Sequence, residues 1–163
     1  MSQEEQFDIV DENNKLTGEI RPKSEVHEKG LWHRASHVWV IDSDYRILVG
    51  KRAKTKKSRP SLWDITAGGH IDTGEDATVS AAREMEEELG LTIHPQDLQL
   101  LFITKESNKA DKNGYTENVF QHVYSLHADI KPNEKDLWRI RDYRVRENYA
   151  LIITRALVRF NKK

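Results

Sequence analysis

The chain contains no cysteine, which excludes a disulfide framework, a thiolate metal centre and a cysteine nucleophile together. That composition suits a reducing compartment, and the expectation is a cytoplasmic protein. No apolar run approaches the roughly 18 residues of a membrane span. The opening residues, Met1 to Phe7, are acidic and polar rather than basic and then apolar, so they do not read as a signal peptide and no membrane partner is expected. Charge of one sign is also missing. The 26 Lys and Arg nearly cancel the 27 Asp and Glu, leaving no global field to attract polyanions, so a nucleic acid polymer is not the expected partner. The 8 glycines and 4 prolines are scattered, with no linker, repeat or low-complexity tract. At 163 residues and 37% apolar content, one domain spanning 1–163 around one core is the economical expectation.

Phe7–Val10 and Leu16–Ile20 flank a polar turn at Asp11–Asn14, the pattern of an opening hairpin. Ser24 is the expected N-cap of a short helix that Gly30 ends. Ala35–Ile41 and Ile47–Val49 read as neighbouring strands. The segment from Lys51 to Arg59 is a basic loop, with Lys51, Arg52, Lys54, Lys56, Lys57 and Arg59 ahead of Pro60. Asp76–Leu89 is helix-forming with Gly90 as its stop. Leu98–Thr104 and Val119–His127 are candidate strands, and Asn148–Phe160 is a last candidate helix. Interleaved strands and helices predict an α/β fold with a mixed sheet.

The informative stretch is Arg83-Glu84-Met85-Glu86-Glu87-Glu88-Leu89-Gly90-Leu91. At about 100° per residue, Glu84, Glu87 and Glu88 share one arc, and Thr78, Ala82, Met85 and Leu89 fall on another. Like charges at i,i+3 and i,i+4 repel, so the acids are not there to stabilise the helix. A hard dication would resolve the repulsion, because magnesium takes oxygen ligands from a few carboxylates together with substrate phosphates. From these residues alone, a solvated acidic face explains the run equally well.

The surrounding residues extend the pattern. Gly69, Glu75, Arg83, Glu84, Met85, Glu87, Glu88, Gly90 and Leu91 match every defined position of the Nudix box, here residues 69–91, and the chain resembles that family. The resemblance implies an alpha/beta/alpha sandwich that hydrolyses a pyrophosphate bond in a nucleoside diphosphate derivative or nucleotide. It implies Mg2+ as cofactor, with Mn2+ as the alternative, held by Glu84, Glu87, Glu88 and the backbone carbonyl of Gly68 or Gly69. Glu84 or Glu87 is then the catalytic carboxylate, and Glu75 with Arg83 is the pair tying loop to helix.

A second similarity covers about Phe7 to Leu91. His27, Gly30-Leu31-Trp32-His33-Arg34-Ala35, Arg52-Ala53, Lys56-Lys57, Pro60-Ser61-Leu62-Trp63 and Gly69-His70 are similar to isopentenyl-diphosphate isomerases and the bacterial hydrolases related to them. By that similarity His27, His33 and His70 are candidate ligands of a divalent metal and Glu117 joins the candidate site. Arg52, Lys56, Lys57 and His70 become candidate contacts to substrate phosphates. Taken singly, each histidine also has an ordinary structural reading. The isomerase pattern expects a cysteine where Gly68 stands and a second glutamate where Val119 stands, so its proton-transfer machinery is incomplete beside a complete Nudix box. Hydrolysis is the favoured reading, with isomerisation and a non-catalytic nucleotide sensor as alternatives. Trp32, Trp39, Trp63 and Trp138 are candidates for stacking on a base, with Trp39 expected in the core. Oligomeric state stays open, a homodimer being one option.

Overall fold

The structure is a computed structural model that describes residues 4–44, 47–51, 54–55, 63–108, 114–130 and 137–139. Its elements are β1 (Gln6–Val10), β2 (Leu16–Pro22), α1 (Lys23–Lys29), β3 (Trp32–Ile41), β4 (Ile47–Lys51), β5 (Trp63–Asp64), β6 (Ala67–His70) and α2 (Ala77–Leu89), followed by a 3-10 turn (Pro95–Asp97), β7 (Leu98–Asn108), β8 (Glu117–His127) and β9 (Leu137–Arg139). The fold is α/β with a mixed sheet. The chain divides into two compact units, 1–38 with 67–125 and 39–66 with 126–163.

In the first unit, β1 and β2 form an antiparallel hairpin, and the sheet order is β6-β3-β8-β7. The hairpin turn is closed by Asp11, whose carboxylate accepts the backbone N–H groups of Asn13 and Lys15. Arg34 ties the turn to β3 by donating to the Asn14 side chain and carbonyl at 2.7 and 2.6 Å. Phe7, Ile9 and Val26 pack into a small apolar cluster with Leu31 against it. Val38, Ala67, Ala81, Met85, Val119 and Val123 are also fully buried. In the second unit β4 pairs with the end of β3, with β5 and with β9, and Trp39, Ile41 and Val49 are buried there.

Helix α1 begins one residue before Ser24, so the expected Ser24 cap is not formed. Pro22 occupies the N-cap position with no capping side chain, and the Ser24 N–H is satisfied from 20 residues away by the Glu4 carboxylate at 2.8 Å. Gly30 ends the helix as expected, in the left-handed region at φ 61°. A β-carbon there would lie 2.8 Å from the Thr116 methyl. Helix α2 starts after Asp76, whose carboxylate accepts from the Thr78 N–H, and Gly90 closes it at φ 67°. The buried residues of α2 are Ser80, Ala81, Glu84 and Met85, which displaces the buried arc from the expected Thr78, Ala82, Met85, Leu89 set toward the acids. The expected helix at Asn148–Phe160 lies outside the described residues. Among the described residues, no helix is long and apolar enough to cross a membrane.

Candidate functional site: two clusters on the faces of one short strand

Strand β6 is the ledge on which both clusters of chemistry-bearing residues are built. It pairs with β3 so that Ala35 lies opposite His70, Ser36 opposite Gly69 and His37 opposite Gly68. Because side chains alternate across a strand, His33, Ala35 and His70 share one face of the pair. Ser36 and the bare position at Gly69 share the other.

Helix α2 packs on the Gly69 face. Here the Glu84 carboxylate lies directly against the glycine: a β-carbon on Gly69 would sit 2.5 Å from the Glu84 carboxyl carbon and 2.7 Å from Oε2. The absent side chain is the space the carboxylate occupies. Glu88 reaches the same strand one residue earlier, accepting the Gly68 N–H at 3.2 Å. Arg83 organises the acids. Its Nε and Nη2 grip Glu75 in a two-pronged pair, both at 3.0 Å, a geometry well suited to guanidinium and carboxylate. Nη1 donates to Glu84 at 2.9 Å and to Glu87 at 3.2 Å, and Nη2 donates to the His70 carbonyl at 3.1 Å. The buried Ser80 hydroxyl is 3.2 Å from that of Ser36, donates to the His70 carbonyl at 3.3 Å and accepts from Arg83, pinning the helix to the strand. Burial pushes the Glu84 carboxyl above its ordinary range, Arg83 pulls it back, and the neighbouring Glu88 and Glu87 push it up again. Exposed Glu87 and Glu88 with buried Glu84 therefore present hard oxygen donors from one helix beside Gly68 and Gly69.

Gly69→Ala is expected to leave the unfolding midpoint in urea within about 1 kcal/mol of wild type, because only the end of a flexible side chain must move. Turnover should still fall at least about tenfold, since the displaced group is a candidate metal ligand and sub-ångström placement controls rate. Paired denaturation and activity curves check this.

On the opposite face, His27, His33, His70 and Glu117 bring one ligand atom each to within 4.8 Å of one another. α1 contributes His27, β3 His33, β6 His70 and β8 Glu117. Glu117 Oε1 is 3.2 Å from His33 Nε2 and 3.6 Å from His70 Nε2, and Oε2 is 3.6 Å from His27 Nδ1. Phe7 floors the pocket, with its ring stacked 5.4 Å from His33 and 4.7 Å from His70. His33 Nδ1 faces the Leu31 carbonyl at 3.1 Å, an acceptor that fixes the proton on Nδ1 and leaves a lone pair on the buried Nε2. That lone pair faces a carboxylate and has no hydrogen-bond partner. Burial holds His27 neutral by pushing it down to about 4, against the pull of Glu117, and it lowers His70 likewise. For Glu117 burial acts upward, but the surrounding side chains of His33, His70 and Tyr115 hold it well below the usual carboxylate range. Three imidazoles around a carboxylate form a donor set suited to a transition-metal cation.

The structure thus gathers Glu75, Arg83, Glu84, Glu87 and Glu88 on the Gly69 side of β6, with the Gly68 N–H bonded to Glu88, and His27, His33, His70 and Glu117 on the other. His70 belongs to both, its carbonyl in the helix network and its ring in the pocket. Arg52, Lys56 and Lys57 lie outside the described residues. Sequence reasoning missed Ser80, a small polar residue inside a helix with nothing local to mark it, and Tyr115. It also missed the role of Arg34 as strap of the hairpin.

Residues 31–150 match the model of the NUDIX domain. The chain is 35% identical over 122 residues to Nudix hydrolase 3 of Arabidopsis thaliana, covering 74% of this chain and 16% of that protein. It is 36% identical over 132 residues to an uncharacterized Nudix hydrolase of Clostridium acetobutylicum, covering 79% and 63%, and 36% identical over 124 residues to the isopentenyl-diphosphate Delta-isomerase of Pectobacterium atrosepticum, covering 76% and 66%. The chain therefore spans less than two thirds of these relatives. Among solved structures it resembles DR0079 from Deinococcus radiodurans, with TM-score 0.62, 22% identity and coverage of 83% and 80%. It also resembles the MutT protein from Methanosarcina mazei, with TM-score 0.54, 16% identity and coverage of 81% and 96%. The chain belongs to the Nudix family, in the branch that includes isopentenyl-diphosphate isomerases.

Proposed function

We propose that this chain is a cytoplasmic, magnesium-dependent hydrolase of a pyrophosphate bond in a nucleoside diphosphate derivative or nucleotide, acting as a single domain. One observation carries the reading: the Glu84 carboxylate is seated in the gap left by Gly69, on the same helix as Glu87 and Glu88. Glu84, Glu87, Glu88 and the Gly68 backbone would hold the ion, and their oxygens fit magnesium's preference. A bound magnesium ion offsets phosphate charge and acidifies an attacking water. Glu84, whose proton affinity burial has raised, is the residue placed to take that proton. Arg83 keeps Glu84 and Glu87 together while its grip on Glu75 and the His70 carbonyl fixes the helix to the strand. The opposite pocket, with its orphaned His33 Nε2, fits a second cation held by His27, His33, His70 and Glu117.

The test is phosphate release from a panel of nucleotides and nucleoside diphosphate derivatives, with and without Mg2+. Magnesium-dependent turnover of at least one substrate, strongly reduced by Glu87→Gln, is the expected result. No turnover on any of them, or a variant as active as wild type, contradicts it. The histidine pocket and the isomerase relatives favour a second reading, allylic isomerisation of a prenyl diphosphate. Deuterium uptake into isopentenyl diphosphate in heavy water would reveal it, and its absence with metal present excludes it. Nucleotide binding without turnover, unaffected by Glu84→Gln, would instead indicate a sensor.

A further inference from the structure

Tyr115 stands over the histidine pocket. Its ring stacks on His27 at 4.1 Å and 22°, its hydroxyl lies 3.0 Å from His27 Nε2, and it hydrogen-bonds to Glu117. The chain holds it there from both sides: Gly114 turns in the left-handed region at φ 77°, and the Thr116 N–H donates to the His27 carbonyl at 3.0 Å.

Proton counting at His27 shows what this hydroxyl faces. Nδ1 is 3.3 Å from the Thr116 carbonyl and 3.6 Å from Glu117 Oε2. Both neighbours are acceptors, so Nδ1 carries the ring proton and Nε2 presents a lone pair toward Tyr115. The phenol then has one hydrogen for two acceptors, His27 Nε2 and the Glu117 carboxylate. A cation in that position satisfies both.

Resting on the reading of this pocket as a cation site, we propose that Tyr115 is its fifth ligand, making a three-histidine, one-glutamate, one-tyrosine centre for a first-row transition ion. Two metal–donor bonds of about 2.1 Å at right angles place their donor atoms about 3.0 Å apart. The separation of the Tyr115 oxygen from His27 Nε2 is 3.0 Å, and that of His33 Nε2 from Glu117 Oε1 is 3.2 Å; both are the spacings of neighbouring ligands on one ion. On binding, the phenol O–H bond gives way to an O–metal bond and the proton leaves to solvent past the exposed part of the ring. A nitrogen-rich set with one carboxylate and one phenol selects iron, cobalt or manganese over magnesium, whose preference is for oxygen and water. The two faces of β6 thereby hold different metals.

The test uses the full chain stripped with a chelator and titrated with Co2+, and a parallel sample loaded with ferric iron. Wild type is expected to bind Co2+ and, with ferric iron, to show the visible charge-transfer band of an iron–phenolate bond. Tyr115→Phe, which keeps the ring and its stacking, is expected to lose that band and, because a direct ligand is removed, to bind Co2+ more weakly by more than the roughly 10–100-fold typical of outer groups. A wild type that binds both metals without the band, or a variant with unchanged affinity and spectrum, overturns the tyrosine assignment and leaves the pocket standing. A wild type that binds neither metal overturns both.

Discussion

Replacing Glu84 with glutamine is expected to reduce magnesium-dependent turnover by a factor of about 10²–10⁴, the usual contribution of a positioned acid–base group, without weakening the fold. Glutamine has nearly the same shape and fits the gap at Gly69. Its stability effect has a definite sign. The Glu84 carboxyl is pushed up by burial, more than Arg83 pulls it down, so between the ordinary value near 4.5 and its folded value the native state binds more protons than the unfolded state. Stability from this group is therefore present at acid pH and declines as pH rises through that window. Glu84→Gln removes the decline. Denaturant midpoints measured from pH 4 to 8 should show a variant at least as stable as wild type at neutral pH, and kcat should show the loss. Equal loss of stability and activity would mean that Glu84 is a structural residue.

Replacing Glu117 with glutamine is expected to remove cation binding at the opposite pocket. Among the described residues the pocket sets this one carboxylate among three imidazoles, and losing a direct ligand should weaken affinity by more than the roughly 10–100-fold typical of outer groups. For wild type at a cation concentration about 100 times the dissociation constant, binding adds about 2.7 kcal/mol to stability. For a chain of this length that is about 5–10 °C in melting temperature. Thermal scans with and without Co2+ should show this rise in wild type and almost none in Glu117→Gln. Because the glutamine amide can donate to the orphaned His33 Nε2, the metal-free variant should melt no lower than wild type. An equal cation-induced rise in both proteins would remove Glu117 from the pocket.

The parts of the fold that local chemistry specifies were legible in the sequence. Asp76 and Gly90 bracket α2 as a start and a stop, and the hairpin around Asp11–Asn14 needed only the Asp11 turn. Strands β1 to β4, β7 and β8 followed from patterning, and the acidic helix from patterning and from the Nudix box. What escaped depends on contacts distant along the chain. Ser24 failed as a cap because the helix starts one residue earlier, at Lys23, and puts Ser24 inside its first turn with its own N–H bonded to Glu4. Glu84 is buried, unlike Glu87 and Glu88, because Gly69 leaves room beneath it, and nothing within the helix encodes that. β3 begins at Trp32 rather than Ala35, which puts His33 inside the strand and in diagonal register with His70. Tyr115 had no motif around it, and its place over His27 comes from the return of the chain into β8. The role expected of Arg52, Lys56 and Lys57 falls outside the described residues.

The central claim is that Glu84, Glu87 and Glu88 converge on one divalent ion beside Gly68 and Gly69. Crystals grown with Mn2+ and a nonhydrolysable nucleotide, measured for anomalous scattering, test it most directly. The account predicts an anomalous peak bonded to those carboxylates and to the nucleotide's phosphates, with the Arg83 contacts to Glu84 and Glu87 loosened and its grip on Glu75 intact. Nucleotide bound with no peak at α2, and Glu84 and Glu87 still paired to Arg83, would contradict it.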